Sequence, residues 1–296
     1  MLVFEIVFTG LLMGVFYALM ALGLTLIFGI LKIVNFAHGE LFMLGAYAYA
    51  VLVLRSGVPT VPALLSAVIL GALAGVVVER LLLRPLYTGQ VGAGPLRDEY
   101  AIIVTFGLSL FLINLVHQLM GPYPLKGPDL VATSRVELFG MFVSPHRLLA
   151  SALGVLTLGA VVWIIRGTVW GKRVQAVAQN RFGAAIVGID HTRVSMLVLA
   201  MSGGIVALSG ALLAPLFHAY PDVGAFPAVK SFVVVVLGGM GSIAGSIVGG
   251  LLLGVLENFG AIYLSYEYRD TFGFVILMLV LLLRPHGLFG ERTREV

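Results

Sequence analysis

Apolar runs near the length that a helix needs to cross a bilayer, about 20 residues, recur along the whole chain and constrain its fold more than any other feature. Only 11% of the residues are charged and 60% are hydrophobic, which is too little charge for a water-soluble surface. Runs of this length satisfy their backbone polar groups in hydrocarbon as helices. We therefore predict an all-α, polytopic transmembrane helix bundle, with residues 1–296 forming a single membrane domain.

Polar or glycine- and proline-rich segments separate these runs. Gly10 and Gly14 lie four apart on one face of the first run, a spacing that allows close packing against another helix.

Residues 121–145 contain four prolines and short β-like pieces at 136–142, and we predict an ordered external loop there. The runs cover residues 6–28, a second run ending near 54, 61–83, 100–120, 147–165, 194–217, 229–255 and 272–283.

Charge and missing motifs exclude several functional classes. The net charge of +4 comes from basic residues scattered at the ends of the runs, where membrane orientation explains them better than nucleic acid does. The chain has no Cys, so it forms neither disulfides nor thiolate metal sites. It contains no nucleotide-binding P-loop, no metal-binding motif and no hydrolase motif. We expect no enzyme activity and no bound cofactor or metal on this chain.

Residues 171–190, here called the coupling segment, form the longest stretch with the composition of a soluble helix. Lys172, Arg173 and Arg181 lie among small residues, with long apolar runs on both sides. We predict a basic, partly amphipathic helix in the cytoplasm that docks on a soluble partner. The alternative is a plain connecting loop whose charges only follow the positive-inside rule.

The distribution of basic residues supports this orientation. With the coupling segment inside, only six of the 18 Lys and Arg residues remain outside. The count requires that residues 229–255 do not make one complete crossing. The six outer residues are Arg55, Lys126, Arg135, Arg147, Lys230 and Arg269.

Residues 229–255 are apolar but interrupted by Gly238, Gly239, Gly241 and Ser242, a poor sequence for one continuous helix. We predict two re-entrant half-helices, because irregular backbone at membrane depth is tolerated where protein or a water-filled cavity surrounds it. These four residues would then line a translocation path. The alternative is a packing kink in an ordinary helix.

Asn35, His38 and Glu40 form a second candidate for the path. Polar groups near hydrocarbon are costly unless they face a cavity or a partner, so these residues are functional candidates. The alternative places them in a short inner loop as ordinary interfacial residues. Lys230 and Glu257 are interpreted as residues at the membrane edge.

Four blocks of residues carry a family resemblance that covers nearly the whole chain. In this order along the chain, they resemble the LivH family, the permease subunits of ABC importers for branched-chain amino acids. The blocks are NFAHGE at 35–40 with MLGAY at 43–47, AVAQNR at 176–181 continuing to Gly188 and Ile189, GGMGS at 238–242, and RPHGLFG at 284–290.

The resemblance implies the fold of an ABC importer permease in the cytoplasmic (inner) membrane of a bacterium or archaeon. It also implies four kinds of partner: a second permease of the LivM type, two ATPase subunits that bind ATP and Mg²⁺, an extracytoplasmic substrate-binding protein, and the lipid membrane. The coupling segment then contacts the ATPase. Many importers have a Glu near this point, and this chain has none there. The implied coupling residues are Gln179, Asn180, Arg181, Phe182 and Gly188.

The implied mechanism is alternating access, driven by ATP binding in the partner subunits. The implied cargo is leucine, isoleucine or valine. Closely similar permeases carry urea, short amides or other amino acids, and the sequence does not separate these cargoes. A further alternative is a stand-alone secondary transporter in which Glu40 or His38 carries a coupling proton. We expect no central membrane-buried charge pair in this chain, and its absence counts against the secondary transporter.

Overall fold

The computed structural model describes residues 2–86, 95–131, 136–138 and 140–290. Helices dominate this part of the chain, as predicted for a polytopic membrane protein. They are α1 (Leu2–Leu31), α2 (His38–Leu54), α3 (Thr60–Val78), α4 (Pro95–Met120), α5 (Pro145–Gly167), α6 (Val169–Gln179), α7 (Arg181–Ile186), α8 (His191–Phe217), α9 (Ala225–Gly238), α10 (Ile243–Tyr263) and α11 (Arg269–Leu283).

Six of these helices are long and apolar enough to cross a membrane: α1, α3 with its extension, α4, α5, α8 and α10. The extension of α3 consists of a π-helical turn, Glu79–Leu83, and a 3-10 turn, Arg84–Leu86. The helix α4 begins at Pro95, earlier than the apolar run predicts, because proline is tolerated in the first turn, where its missing N–H is not needed.

The chain divides into two compact units, each assembled from segments far apart in sequence. The first unit contains Met1–Thr25, Asp129–Gly159 and Val229–Val296. In it, Gly10 and Gly14 of α1 pack against the backbone of α10: a Cβ added at Gly14 would lie 2.8 Å from Leu251 Cα. The prediction of a closely packing face on the first run is confirmed.

A β-hairpin in the first unit occupies part of the predicted external loop. The strands β1 (Val136–Leu138) and β2 (Met141–Val143) pair in antiparallel register, with Val136 opposite Val143. The prediction of β-like pieces at 136–142 is confirmed.

The second unit contains Leu26–Pro128 and Ala160–Ala228, and its centre is a packed group of α2, α3 and α8. Small residues bring these backbones together. An added Cβ at Gly45 of α2 would overlap the backbone of Ala207 in α8, and one at Gly75 of α3 would overlap that of Leu199. Because these positions carry no bulky side chains, the helix backbones can approach closely, as is common in membrane proteins.

Candidate functional site

The coupling segment is helical, as predicted, but Asn180 divides it into two helices. Asn180 has extended backbone angles (φ −151°, ψ 104°), and its Oδ1 accepts a hydrogen bond of 2.9 Å from the Gly183 amide. This is the geometry of a helix N-cap, which satisfies a donor in the first turn of α7. One continuous helix over these residues is therefore not formed.

Gly188 ends α7 in a left-handed conformation (φ +81°). The Gly188 amide donates to Ala185 O at 3.0 Å, and the Ile189 amide donates to Ala184 O at 2.9 Å. This pair of bonds is a Schellman motif, whose left-handed position favours glycine. Gly188 is thus required by the backbone at the end of the coupling helix.

Asp190 caps the next helix, α8, immediately after the coupling segment. Its Oδ1 accepts from the amides of Thr192 (2.9 Å) and Arg193 (3.3 Å). Burial is the largest single influence and opposes the ionised form, but the amide hydrogen bonds from Arg193 and Thr192, together with nearby positive charge, outweigh it and lower the pKa of the Asp190 carboxyl. The cap at Asn180 and the Schellman motif at Gly188 thus fix the two ends of α7, and Asp190 fixes the start of α8.

Arg181 is engaged within the chain. Its guanidinium donates to Ile30 O, a carbonyl in the last turn of α1. Carbonyls in this turn lack helical donors and carry the negative end of the helix dipole, so a cation is favoured there. Arg181 therefore ties the start of α7 to α1.

Exposed apolar side chains cover much of the surface of α7. Phe182 is 77% exposed, Ile186 71% and Val187 74%. Phe182 and Ile186 are four residues apart and lie on one face of the helix. Gln179, the remaining predicted coupling residue, is exposed at the end of α6. An exposed apolar surface of this kind is a candidate contact for another protein, and the coupling role of these residues stays a prediction.

The predicted cluster at residues 35–40 lies in the second unit and is buried: Asn35 and His38 are each 1% exposed, and Glu40 is 5% exposed. Asn35 Oδ1 accepts from the Ala37 amide at 3.0 Å, which shapes the turn before α2. Glu40 accepts a hydrogen bond of 2.5 Å from the Ser109 hydroxyl of α4. These side chains are therefore packed within the protein, and their role in a translocation path stays a prediction.

A close backbone approach fixes the start of α2. An added Cβ at Gly39 would overlap Gly224 O, and one at Gly224 would overlap Gly39 O. This contact brings the beginning of α2 against the loop that precedes α9. The neighbouring Asp222, which is exposed, interacts electrostatically with Glu40.

The predicted glycine break is present in the first unit. The helix α9 ends at Gly238, Gly239 (φ +100°) and Gly241 (φ +89°) are left-handed, and Ser242 caps α10 by accepting from the Gly245 amide at 3.1 Å. One kinked helix is therefore excluded. The half-helix prediction fits α9, with 14 residues, but not α10, whose 21 residues are long enough for a complete crossing.

The chain's own C-terminal segment packs against this break. The amides of Leu288 and Phe289 donate to Leu237 O (2.9 Å) and Gly238 O (3.0 Å), carbonyls at the end of α9. An added Cβ at Gly239 would lie 2.5 Å from the Gly290 amide nitrogen. Close backbone packing thus accounts for glycine at 239, and a role of residues 238–242 in translocation stays a prediction.

Sequence reasoning missed a buried charge network in the first unit. Lys230 of α9 is 1% exposed and Glu257 of α10 is fully buried, and the two form a direct ion pair. Lys230 Nζ also lies 3.3 Å from Asp270 Oδ1, and Tyr17 donates to Glu257 Oε2 at 2.9 Å. Arg269 Nε lies 3.9 Å from the same Glu257 oxygen.

This network bears on two expectations. Lys230 and Glu257 are buried within the first unit and are not solvated there, and a buried charge pair is present. The sequence did contain a signal for this pair, because Lys230 lies inside an apolar run, where a charged side chain is costly without a partner. The partner stands 27 positions away, and the space for the pair depends on Gly273, where an added Cβ would lie 2.8 Å from Glu257 Oε1.

Long apolar helices around buried polar groups identify a multi-pass membrane protein. The family model for the permease component of the branched-chain amino acid transport system matches residues 6–282. The chain belongs to this family, whose members are permease components and not enzymes.

Several branched-chain amino acid permeases match over nearly their whole length. The high-affinity branched-chain amino acid transport system permease protein LivH of Escherichia coli K12 is 33% identical over 97% of this chain and 96% of the relative. The corresponding protein BraD of Pseudomonas aeruginosa is 32% identical, with coverages of 97% and 95%. A probable LivH of the archaeon Methanocaldococcus jannaschii is 25% identical, with coverages of 94% and 90%. No solved structure matches the chain.

Proposed function

We propose that this chain is the membrane subunit of an ATP-binding-cassette importer that brings leucine, isoleucine and valine into the cell. The observation that carries the proposal is the match to named branched-chain amino acid permeases over 97% of the chain. Such coverage includes the coupling segment, the buried cluster at 35–40 and the glycine break.

The exposed surface of α7 is the proposed contact with the ATPase. Phe182 and Ile186 project from a helix that begins at the Asn180 cap and ends in the Schellman motif at Gly188, so a push on these side chains moves the whole helix. ATP and Mg²⁺ are bound by the ATPases. ATP binding closes the two ATPases and shifts the permease between its inward- and outward-open states, since a ligand with differential affinity shifts such an equilibrium.

We further propose that the permease pairs with a LivM-type second permease and receives cargo from an extracytoplasmic binding protein. The second permease would cover apolar surface of this chain: α4 exposes Phe106 (52%) and Phe111 (60%). Patches of this kind are covered by lipid or by another membrane protein.

Reconstitution of this chain in liposomes with candidate second permease, ATPases and binding protein tests the proposal. We expect leucine uptake that depends on ATP and on every component, with leucine-stimulated ATP hydrolysis. Competition by isoleucine and valine, but not by urea or short amides, separates the proposed cargo from the related cargoes. A preparation in which the ATPase has lost its catalytic residues serves as the control.

One observation keeps a second candidate, a stand-alone secondary transporter, open to test. The buried Lys230–Glu257 pair is a candidate for the charge pair that such a transporter would need. Liposomes that contain only this chain, with a proton gradient and no ATP, test this candidate. Leucine uptake under these conditions would contradict the importer proposal.

A further inference from the structure

A cavity opens between α2, α3 and α4 in the second unit. Its volume is about 500 Å³, within the range of small-molecule sites, and its lining is almost entirely apolar. Leu44, Tyr47 and Ala48 contribute from α2, and Leu112 and Val116 contribute from α4.

Polar contacts at one end of the cavity hold α4 against α2. The Phe36 amide donates to Thr105 Oγ1 at 3.2 Å, and the Ser109 hydroxyl donates to Glu40 at 2.5 Å. Glu40, Leu44 and Tyr47 follow one face of α2 at helical spacing. At 1.5 Å per residue, Leu44 lies about 6 Å and Tyr47 about 10 Å beyond Glu40 along the axis. The seam between α2 and α4, from Glu40 to Tyr47, therefore runs from the buried Glu40 carboxylate into the apolar cavity.

The Tyr47 hydroxyl is a second indication that this region binds a ligand. Tyr47 is only 5% exposed, and its hydroxyl has no hydrogen-bond partner among the described residues. A buried hydroxyl without a partner costs free energy, so it is expected to be satisfied in another state or by a ligand. Helical side chains point toward the N-terminus of their helix, which is the direction of Glu40. Asp222 interacts electrostatically with both Glu40 and Tyr47.

We propose that this seam is a cargo site for an apolar α-amino acid: the ammonium group binds at Glu40, the carboxylate accepts from the Tyr47 hydroxyl, and the branched side chain enters the cavity. Such an amino acid carries its ammonium and carboxylate groups at one end and its apolar side chain at the other, in the same order as Glu40, Tyr47 and the cavity along the seam. The inference rests on the proposed function and names the residues by which the permease distinguishes its cargo.

Ala48→Phe fills the cavity and tests the site through selectivity. Leucine is one methylene longer than valine, and a difference of this size in a pocket changes discrimination about tenfold. We expect the ratio of leucine to valine uptake by the reconstituted importer to fall by about this factor. Gly159→Phe is the matched control, because Gly159 lies on an exposed face of α5 with nothing within 4 Å of an added Cβ, away from the α4 surface proposed for the second permease. An unchanged ratio in Ala48→Phe, or the same change in both variants, would overturn the site.

Tyr47→Phe removes only the hydroxyl. We expect the KM for leucine to rise about tenfold, the equivalent of one lost hydrogen bond. If KM stays constant, the Tyr47 hydroxyl is not a cargo ligand and the proposal is wrong.

A diazirine analogue of leucine identifies the occupant directly. In proteoliposomes of the importer, we expect it to label peptides that contain Leu44 or Leu112, and we expect excess leucine to prevent the labelling. Labelling of these peptides by a diazirine phospholipid, unaffected by leucine, would assign the cavity to an acyl chain and overturn the proposal. Uptake by the wild-type importer distinguishes failure of the proposed function from failure of the cargo site. Absence of branched-chain amino acid uptake refutes the proposed function. Normal uptake without labelling by the leucine analogue refutes only the site.

Discussion

At the scale of single residues, Arg181 has a role that its charge alone did not indicate. The sequence predicts a contact with a soluble partner, whereas the structure pairs Arg181 with Ile30 O at the end of α1. The side chain is only partly exposed. We interpret Arg181 first as an anchor that fixes the position of α7.

Arg181→Gln tests this anchor. The variant loses the charge that faces the carbonyls at the end of α1, and we expect a loss of about 1 kcal/mol of stability, reduced from the value of a buried charged bond by solvent exposure. Thermal unfolding of the purified permease in detergent measures the effect, with Arg181→Lys as the charge-conserving control. A variant with normal thermal stability but no coupling to ATP hydrolysis would instead support a direct contact with the ATPase.

Gly188 gives a second prediction at this scale. Alanine at Gly188 (φ +81°) adopts a left-handed conformation at a cost of about 1–2 kcal/mol. The matched control is Gly107→Ala in α4, where an added Cβ has open space and alanine favours the helix. We expect Gly188→Ala to lower the unfolding temperature and Gly107→Ala to leave it unchanged or raise it. Equal effects would show that the backbone at Gly188 is not restrictive.

Some of these residues were predictable and others were not. Gly10 and Gly14 fit a small-residue face, because their spacing alone identifies a helix surface. Asn180 was included in one helix because its neighbours are good helix formers, yet its short polar side chain competes for backbone donors and starts a new helix. The Lys230–Glu257 pair could not be predicted, since the sequence does not show which apolar runs lie side by side.

At the scale of helices, the buried charge network joins α9, α10 and α11 with α1. Removal of one partner from a buried pair costs about 3–5 kcal/mol, whereas replacement of both by apolar residues is often neutral. We therefore expect Lys230→Met and Glu257→Leu each to lower the unfolding temperature and the amount of folded protein. The double variant should recover most of the loss, because Asp270 is half exposed and can interact with water.

A double-mutant cycle on thermal unfolding measures this coupling. Additive effects of the two substitutions would show that the pair contributes no interaction energy. Leucine uptake by the double variant then decides between a structural and a functional role: normal uptake assigns the pair to packing, and lost uptake in a stable protein assigns it to transport.

The cap of α8 gives a pH-dependent prediction for an element. Because the pKa of Asp190 is lowered in the folded state, its contribution to stability is present above the unfolded value, about 3.9, and is lost as the pH falls through the folded value. The side chain is about half exposed, so the effect is small. We expect Asp190→Asn, which keeps a capping oxygen, to remove this part of the acid sensitivity. Identical unfolding curves of both proteins between about pH 5 and pH 2 would contradict it.

At the scale of the whole molecule, the sequence predicted the class of fold but not its assembly. Apolar runs identified the long helices because length and hydropathy are local properties. The first unit, however, combines segments from the beginning, the middle and the end of the chain. Apolar faces are nearly interchangeable as partners, so the order of contacts depends on details such as Gly14 against Leu251, which no single run reveals.

The last prediction concerns the complete importer. An aspartate at Phe182 places a charge on the surface of α7 that the ATPase is proposed to cover, where burial of an unpaired carboxylate is costly. We expect Phe182→Asp to abolish co-purification of the ATPase and ATP-dependent leucine uptake, with an unchanged unfolding temperature of the permease. Tyr123→Asp is the matched control, because Tyr123 is 83% exposed and lies in the predicted external loop. Loss of the ATPase from both variants would show that the effect is not specific to α7, and retention in Phe182→Asp would place the energy-coupling contact elsewhere on the permease.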